Sequence, residues 1–234
     1  MTGYYEPEIK AYKNYEEGRY PLYKIDIKEY DEALFKETRS TINKGFLKNK
    51  GLEIAWVENE IEAFFLHIQG SGRLRYEDGK VIKIRYAGNN KKKYTAIGKI
   101  LIETGKIKKD KVNMFSIKEW LYKNRKAGKK LMEANERYIY FEEYKGKIKG
   151  SVKINLVPFI SIAVDYKNYK EGDIFLIIEK NRPKKAFIGI AHDEGAAIKG
   201  KNRIDLFTGY GKEAEKIAAV MKKKIFMWKL EPKP

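Results

Sequence analysis

The apolar positions of the chain follow two rhythms, a two-residue alternation and a helical spacing, and their order along the sequence predicts the elements. Residues 2–11 read as one extended segment interrupted at Pro7, and Tyr20-Pro21-Leu22-Tyr23 has the same character. Ala33, Leu34 and Ile42 give residues 31–44 a weak helical pattern. Residues 52–57 and 63–68 are short apolar runs bounded by polar residues or glycine, which predicts two strands. After Gln69-Gly70-Ser71-Gly72, residues 73–76 and 81–86 flank an Asp78-Gly79 turn and predict a hairpin. Ile97, Ile100 and Leu101 place a helix within 94–104, stopped by Gly105. Ser116-Ile117-Lys118-Glu119 reads as a capping box opening a second helix, and helical spacing continues over 129–135.

Residues 138–141 return to a strand pattern. The lysine- and glycine-rich run 142–151 is the candidate boundary, dividing the chain into residues 1–141 and 142–234. Beyond it, strands are expected at 160–164, 174–178 and 186–191, then a helix over 211–222 and a strand over 225–230. Many short strands separated by glycine turns predict a small barrel rather than a parallel sheet. The expected fold class is mainly β with a few helices, in two domains.

Composition narrows the chemistry. The 234 residues carry 43% hydrophobic side chains, enough for a substantial core. Fifty Lys and Arg against 32 Asp and Glu leave a net charge of +18, which attracts nucleic acid, acidic lipid or a carboxylate-bearing wall polymer, and equally fits a lysine-rich source genome. The absence of cysteine excludes disulfides, thiolate catalysis and Cys-ligated zinc, and two histidines, His67 and His192, are too few for a multi-His centre. No run reaches the roughly 18 apolar residues of a membrane span, none reads as a signal peptide, and Thr2-Gly3-Tyr4-Tyr5 directly after Met1 suggests a longer precursor.

The richest stretch chemically is 191–211, where Asp193, Glu194 and Asp205 stand among glycines and apolar anchors such as Ile198, Ile204 and Phe207. Burial there raises a carboxyl pKa and Lys199 lowers one, so two acids can be driven into different roles; Asp beside Gly is equally the composition of an ordinary turn. Gln69-Gly70-Ser71-Gly72 offers an amide and close backbone approach, without the Lys-Ser/Thr ending of a phosphate loop. Tyr4 and Tyr5 suit stacking on sugars or bases, and suit a core.

Taken in order, Thr2-Gly3-Tyr4-Tyr5-Glu6-Pro7, Tyr20-Pro21-Leu22-Tyr23, Thr38-Arg39, Gln69-Gly70-Ser71-Gly72, Tyr86-Ala87-Gly88-Asn89, Ser161-Ile162-Ala163-Val164-Asp165 and residues 193–211 form a pattern. In it the chain resembles the membrane-bound lytic murein transglycosylase A family with its three-aspartate domain. The resemblance implies a double-psi β-barrel and a second β-rich domain with a groove between them. It also implies cleavage of the β-1,4 bond between N-acetylmuramic acid and N-acetylglucosamine without water, leaving a 1,6-anhydro sugar. The three aspartates fall on Asp165, Asp193 and Asp205. Asp205 takes the place of the single acid that is later the base, Asp193 that of its tuning neighbour, and Asp165 a structural place. Gln69, Ser71, Tyr4, Asn90 and Lys199 are the candidates for holding the glycan. The sequence departs from the common pattern at Glu194-Gly195-Ala196, at Phe159-Ile160 and at Asn90. No cofactor or metal is implied; the partner is the peptidoglycan glycan strand rather than nucleic acid, and the location is periplasmic, with an outer-membrane anchor on the full-length protein. The competing readings are a non-enzymatic basic β-protein that binds a polyanion, and a wall-binding relative without catalysis.

Overall fold

The computed structural model describes residues 1–25 and 36–231 of the chain, so the expected helical positions Ala33 and Leu34 lie outside the described residues. The chain divides into two compact units, Pro7–Lys145 and a second made of Met1–Glu6 with Gly146–Pro234. The first strand, β1 (Thr2–Glu6), thus belongs with the C-terminal part of the chain, where a division at 141/142 leaves it on the other side. Pro7, which has no N–H to continue a ladder, stands at the point of departure.

The Pro7–Lys145 unit contains β2 (Glu8–Lys10), β3 (Tyr20–Tyr23), the short helix α1 (Arg39–Asn43), β4 (Glu53–Val57), α2 (Glu60–Gln69), β5 (Ser71–Arg75) and β6 (Val81–Asn89). Helices α3 (Ile97–Glu103), α4 (Met114–Lys123) and α5 (Arg125–Glu133) follow, and β7 (Ile139–Tyr144) ends it. Strands β2, β5, β6 and β7 form one sheet in that order, and β3 pairs with β4. The expected hairpin joins β5 to β6, with Gly79 at φ +81° in its turn.

Two expectations change here. Residues 63–68 are not a strand but the body of α2. The Asn59 side chain accepts from the Ile61 amide, Glu60 and Glu62 complement the helix dipole, and Gly70 ends the helix at φ +78°. Ile61 and Ala63 through His67 are all buried, so the run is apolar on every side and its helical period is hidden. The capping box of α4 sits one turn earlier than expected. Asn113 and Ser116 exchange the two bonds, while Glu119 pairs with Lys123 four residues on.

The second unit continues with β8 (Ser161–Val164), β9 (Ile174–Glu179), β10 (Arg182–Glu194), β11 (Asp205–Tyr210), α6 (Gly211–Val220) and β12 (Ile225–Leu230). They form one six-stranded sheet in the order β1-β11-β8-β10-β9-β12, with β1–β11 and β8–β10 parallel. A bridge between Thr2 and Lys222, with the Lys223 amide on the Met1 carbonyl at 2.9 Å, leads the approach to β12 onto the free side of β1. Both ends of the sheet are thereby drawn together into a barrel. Ile162, Val164, Phe175, Ile177, Ala191 and Leu206 fill its core. Helix α6 packs on β1, where a Cβ on Gly3 would lie 2.9 Å from the Ala218 Cα. Strand β10 runs beyond the expected 186–191 and carries Asp193 in its ladder rather than in a turn. No described helix is long and apolar enough to cross a membrane.

Phe175 has no exposed surface at the barrel centre. Phe175→Ala is expected to cost about 3–5 kcal/mol through lost burial and the cavity it leaves, read as a lower denaturant midpoint of the barrel transition.

Candidate active site

Strand β8 organises the acids, because Ala163 is the register partner of both. Asp205, the first residue of β11, lies opposite Ala163 on one side, and Asp193 of β10 lies opposite it on the other. The second pairing depends on a register shift between Ala191 and Asp193, in which His192 is the extra residue of a bulge. An unbroken ladder would put His192 there and turn Asp193 to the opposite face. Two strand spacings separate the backbones of the acids by about 10 Å, with only a methyl group on the strand between them.

Asp205 accepts a hydrogen bond from the Thr2 hydroxyl on β1, its neighbour in register, and Arg203 Nη2 stands 3.7 Å from its carboxylate. Burial raises its pKa above the ordinary value, while Thr2 and Arg203 act in the opposite direction and lose. The charges acting on it are those of Arg203 and the amino terminus, and Asp193 stands on the strand at the other side of β8.

Asp193 accepts hydrogen bonds from the Tyr4 hydroxyl at 3.0 Å and from the Ser151 and Glu194 amides at 2.9 Å each, and the Ser151 hydroxyl adds to them. Burial nevertheless raises its pKa too. Tyr4 packs on Phe207 at 5.3 Å between ring centroids. Its hydroxyl is pushed well above its usual pKa by burial first, then by Asp193 and more weakly by Asp205. Tyr5, 3% exposed, belongs to the core, one of the two uses that the sequence left open for the tyrosine pair.

Asp165, just past β8, accepts from the Gly200 amide at 2.7 Å, the Lys167 amide at 3.1 Å and Asn168 Nδ2 at 3.1 Å. These donors, led by Gly200, lower its pKa, with a smaller contribution from the charge of Lys199. Gly200 has φ +81°, a conformation that favours glycine, and the Asp165 carboxylate ties this turn down just ahead of β11. Lys199 itself is exposed beside the tie.

The remaining candidates lie in the Pro7–Lys145 unit. Gln69 is the last residue of α2 and Ser71 the first of β5, opposite Arg85. Asn90 is different. It is fully buried, donates to the Glu37 and Glu136 carbonyls at 2.7 and 2.8 Å and accepts from the Tyr138 amide at 2.8 Å. Its amide ties residue 37 to the 136–138 segment, which corrects the expectation that it holds glycan. Among the described residues, no three His, Asp or Glu side chains converge as a metal site would require.

Thr2, Arg203 and the pair Gly150-Ser151 escaped the sequence reading. A Cβ on Gly150 would stand 2.0 Å from the His192 carbonyl oxygen, so only glycine lets this segment press on β10 and bring the Ser151 amide to Asp193. The glycine and serine were legible but merged into a linker-like run.

Comparison with known proteins extends the description. The family model of the MltA specific insert domain matches residues 1–142, and that of the 3D domain matches residues 160–231. The chain is 34% identical to a membrane-bound lytic murein transglycosylase A homolog of Buchnera aphidicola over 99% of its own length and 66% of the relative's. It spans between 60% and 66% of the length of the curated relatives it matches. A membrane-bound lytic murein transglycosylase from Agrobacterium tumefaciens superposes with a TM-score of 0.91 at 28% identity, over 99% of this chain and 73% of the other. Escherichia coli MltA with bound chitohexaose superposes with a TM-score of 0.87 at 27% identity, over 100% of this chain and 71% of that one.

The native Asp205 carboxyl holds its proton more tightly than the unfolded chain, in which Asp titrates at about 3.9. Its contribution to stability is therefore complete at low pH, falls as pH rises from about 4 through the raised native value, and is level above it. Asp205→Asn removes the fall, so the stability of the variant relative to the parent should grow across that window in denaturant titrations at stepped pH; a constant difference would contradict the raised pKa. Gly150→Ala should displace the Ser151 amide and raise the Asp193 pKa further, seen as a later carboxyl carbon titration by NMR.

Proposed function

The chain belongs to the MltA family, and from that membership we propose that it is a peptidoglycan lytic transglycosylase, cleaving the β-1,4 bond between N-acetylmuramic acid and N-acetylglucosamine to leave 1,6-anhydromuramoyl ends. The observation that carries this reading is a part-buried carboxyl, Asp205, whose pKa desolvation raises above the ordinary value at the edge of the barrel core. Such a group is the general acid that a glycosidic oxygen needs as leaving group.

In the proposed reaction Asp205 gives its proton to the glycosidic oxygen as the bond to the anomeric carbon breaks. The resulting Asp205 carboxylate then takes the proton of the muramoyl 6-hydroxyl as that oxygen closes on the same carbon. One acid serves both steps because the nucleophile is already part of the substrate, at high effective concentration, and needs no second carboxylate to activate water. The Thr2 hydroxyl and Arg203 favour the carboxylate formed midway. Asp193, oriented by Tyr4 and the Ser151 amide, offsets positive charge developing at the anomeric carbon. Asp165 acts at a distance, by fixing the turn ahead of β11. Tyr4 and Lys199 are the glycan contacts of the barrel unit and Gln69 and Ser71 those of the Pro7–Lys145 unit, and the net charge of +18 draws the enzyme to a polymer rich in peptide carboxylates. The place of action is the periplasmic side of the cell envelope, at the outer membrane.

Purified protein should release anhydro-muropeptides from murein, each lighter than the hydrolytic product by one water in mass spectra. Asp205→Asn should lower that release by at least about 10²–10⁴-fold with the fold intact. Retained release removes Asp205 from its role, and oligonucleotide binding without any release favours the polyanion-binding reading. Binding to murein sacculi should weaken as salt rises, because screening acts on exposed charge.

A further inference from the structure

A cavity of about 250 Å³ opens within the Pro7–Lys145 unit, walled by Tyr20, Tyr23, Trp56, Phe64 and Tyr138. Arg39 and His67 also line it, although they are only 3% and 4% exposed. The proposed reaction uses neither residue. Arg39 opens α1; its Nε donates to the Asn135 carbonyl at 2.8 Å, its Nη2 to the Arg137 carbonyl and its Nη1 to His67 Nδ1 at 2.8 Å. The guanidinium carbon lies 4.9 Å from the Phe64 ring centre and 5.2 Å from that of Tyr138. None of these partners is anionic, and among the described residues Arg39 has no carboxylate in an ion pair. Burial lowers its pKa only to about 10, so it stays charged at neutral pH.

His67 completes the arrangement. A guanidinium has no lone pair, so Nδ1 must be the acceptor and the ring proton sits on Nε2. Burial and the charge of Arg39 both keep the imidazole neutral. Its Nε2 is buried without a hydrogen-bond partner among the described residues. A buried cation without a counter-ion and a buried donor without an acceptor each cost free energy, and one anionic ligand relieves both.

We propose that this cavity binds an acidic monosaccharide, a single sugar ring whose carboxylate meets Arg39 and the Nε2–H of His67. The aromatic walls suit the apolar face of the ring, and Glu53 and Glu60, which also line the cavity, accept from its hydroxyls. Lys48 and Lys129 add to the attraction for the anion. The volume falls below the roughly 300–1,000 Å³ of ordinary ligand pockets, which selects one ring over a glycan chain. The acceptors favour a sugar over an aromatic acid, which has no hydroxyls to offer them.

The site stands independently of murein cleavage, and its test separates the two. Calorimetry on the Asp205→Asn protein compares N-acetylmuramic acid with N-acetylglucosamine, which lacks the carboxylate. The acid should bind at least about tenfold tighter, and Arg39→Gln should lose at least about tenfold of that affinity, in keeping with a charge-assisted hydrogen bond. Arg39 also clamps residues 135–137, so NMR of the chain with Arg39 in place supplies a second readout. The His67 Nε2–H signal should shift with N-acetylmuramic acid and stay put with N-acetylglucosamine. Equal affinity for the two sugars, no binding, a natively folded Arg39→Gln protein with undiminished affinity, an unmoved His67 signal, or benzoate bound as tightly as the acidic sugar each overturns the proposal. Loss of cleavage with this binding kept, or the reverse, tells its failure from that of the proposed function.

Discussion

Two side chains of a single strand hold the two part-buried acids. Thr2 and Tyr4 are two residues apart on β1 and so project from the same face; one reaches Asp205 and the other Asp193. β1 pairs only with β11 within the sheet, so Tyr4 meets an acid three strands away, a distance of about 14 Å across a flat sheet. Curvature of the barrel and a side chain as long as tyrosine make the contact. The carboxyl geometry therefore depends on the parallel seating of β1 against β11, which in turn depends on Gly3 leaving α6 close to the strand.

Three aspartates in one barrel have three protonation tendencies, and donor count does not explain them. Asp193 accepts no fewer hydrogen bonds than Asp165, yet one pKa falls and the other rises. Desolvation decides between them: it dominates at Asp193 and is outweighed by the amides at Asp165. At Asp205 a hydroxyl and a distant guanidinium face the same desolvation and lose. The acid that the chemistry needs protonated is thus the one to which the fold gives few donors.

The local pattern made much of the barrel legible, since residues 160–164, 174–178 and 225–230 are short apolar runs of strand length. It failed at α2. Phe64, Phe65, Leu66 and His67 present no polar face, so a buried helix and a buried strand look alike, and the local signs of the helix lay at its ends, in Asn59, Glu60, Glu62 and Gly70. The acids were legible as residues, but their surroundings were not. A bulge at His192, a hydroxyl from residue 2 and an amide from residue 151 are long-range facts that no window around Asp193 or Asp205 contains. Asn90 shows the converse: a polar residue in a turn suggests a ligand until its amide is found spent on the backbone of residues 37, 136 and 138.

The barrel is also discontinuous in sequence, with the whole Pro7–Lys145 unit between β1 and β8. Loop-closure entropy grows only logarithmically, by about 0.6 kcal/mol for each doubling, and an insert that folds by itself behaves as a shorter loop. Such an interruption is thermodynamically mild, but its kinetic consequence is larger, because β1 must find β11 across most of the chain before Thr2 and Tyr4 reach the acids. The carboxyls can be shielded and their pKa values raised only once that long-range pairing exists. The reactive form of Asp205 is therefore a property of the completed barrel, and no local segment around residue 205 carries it alone.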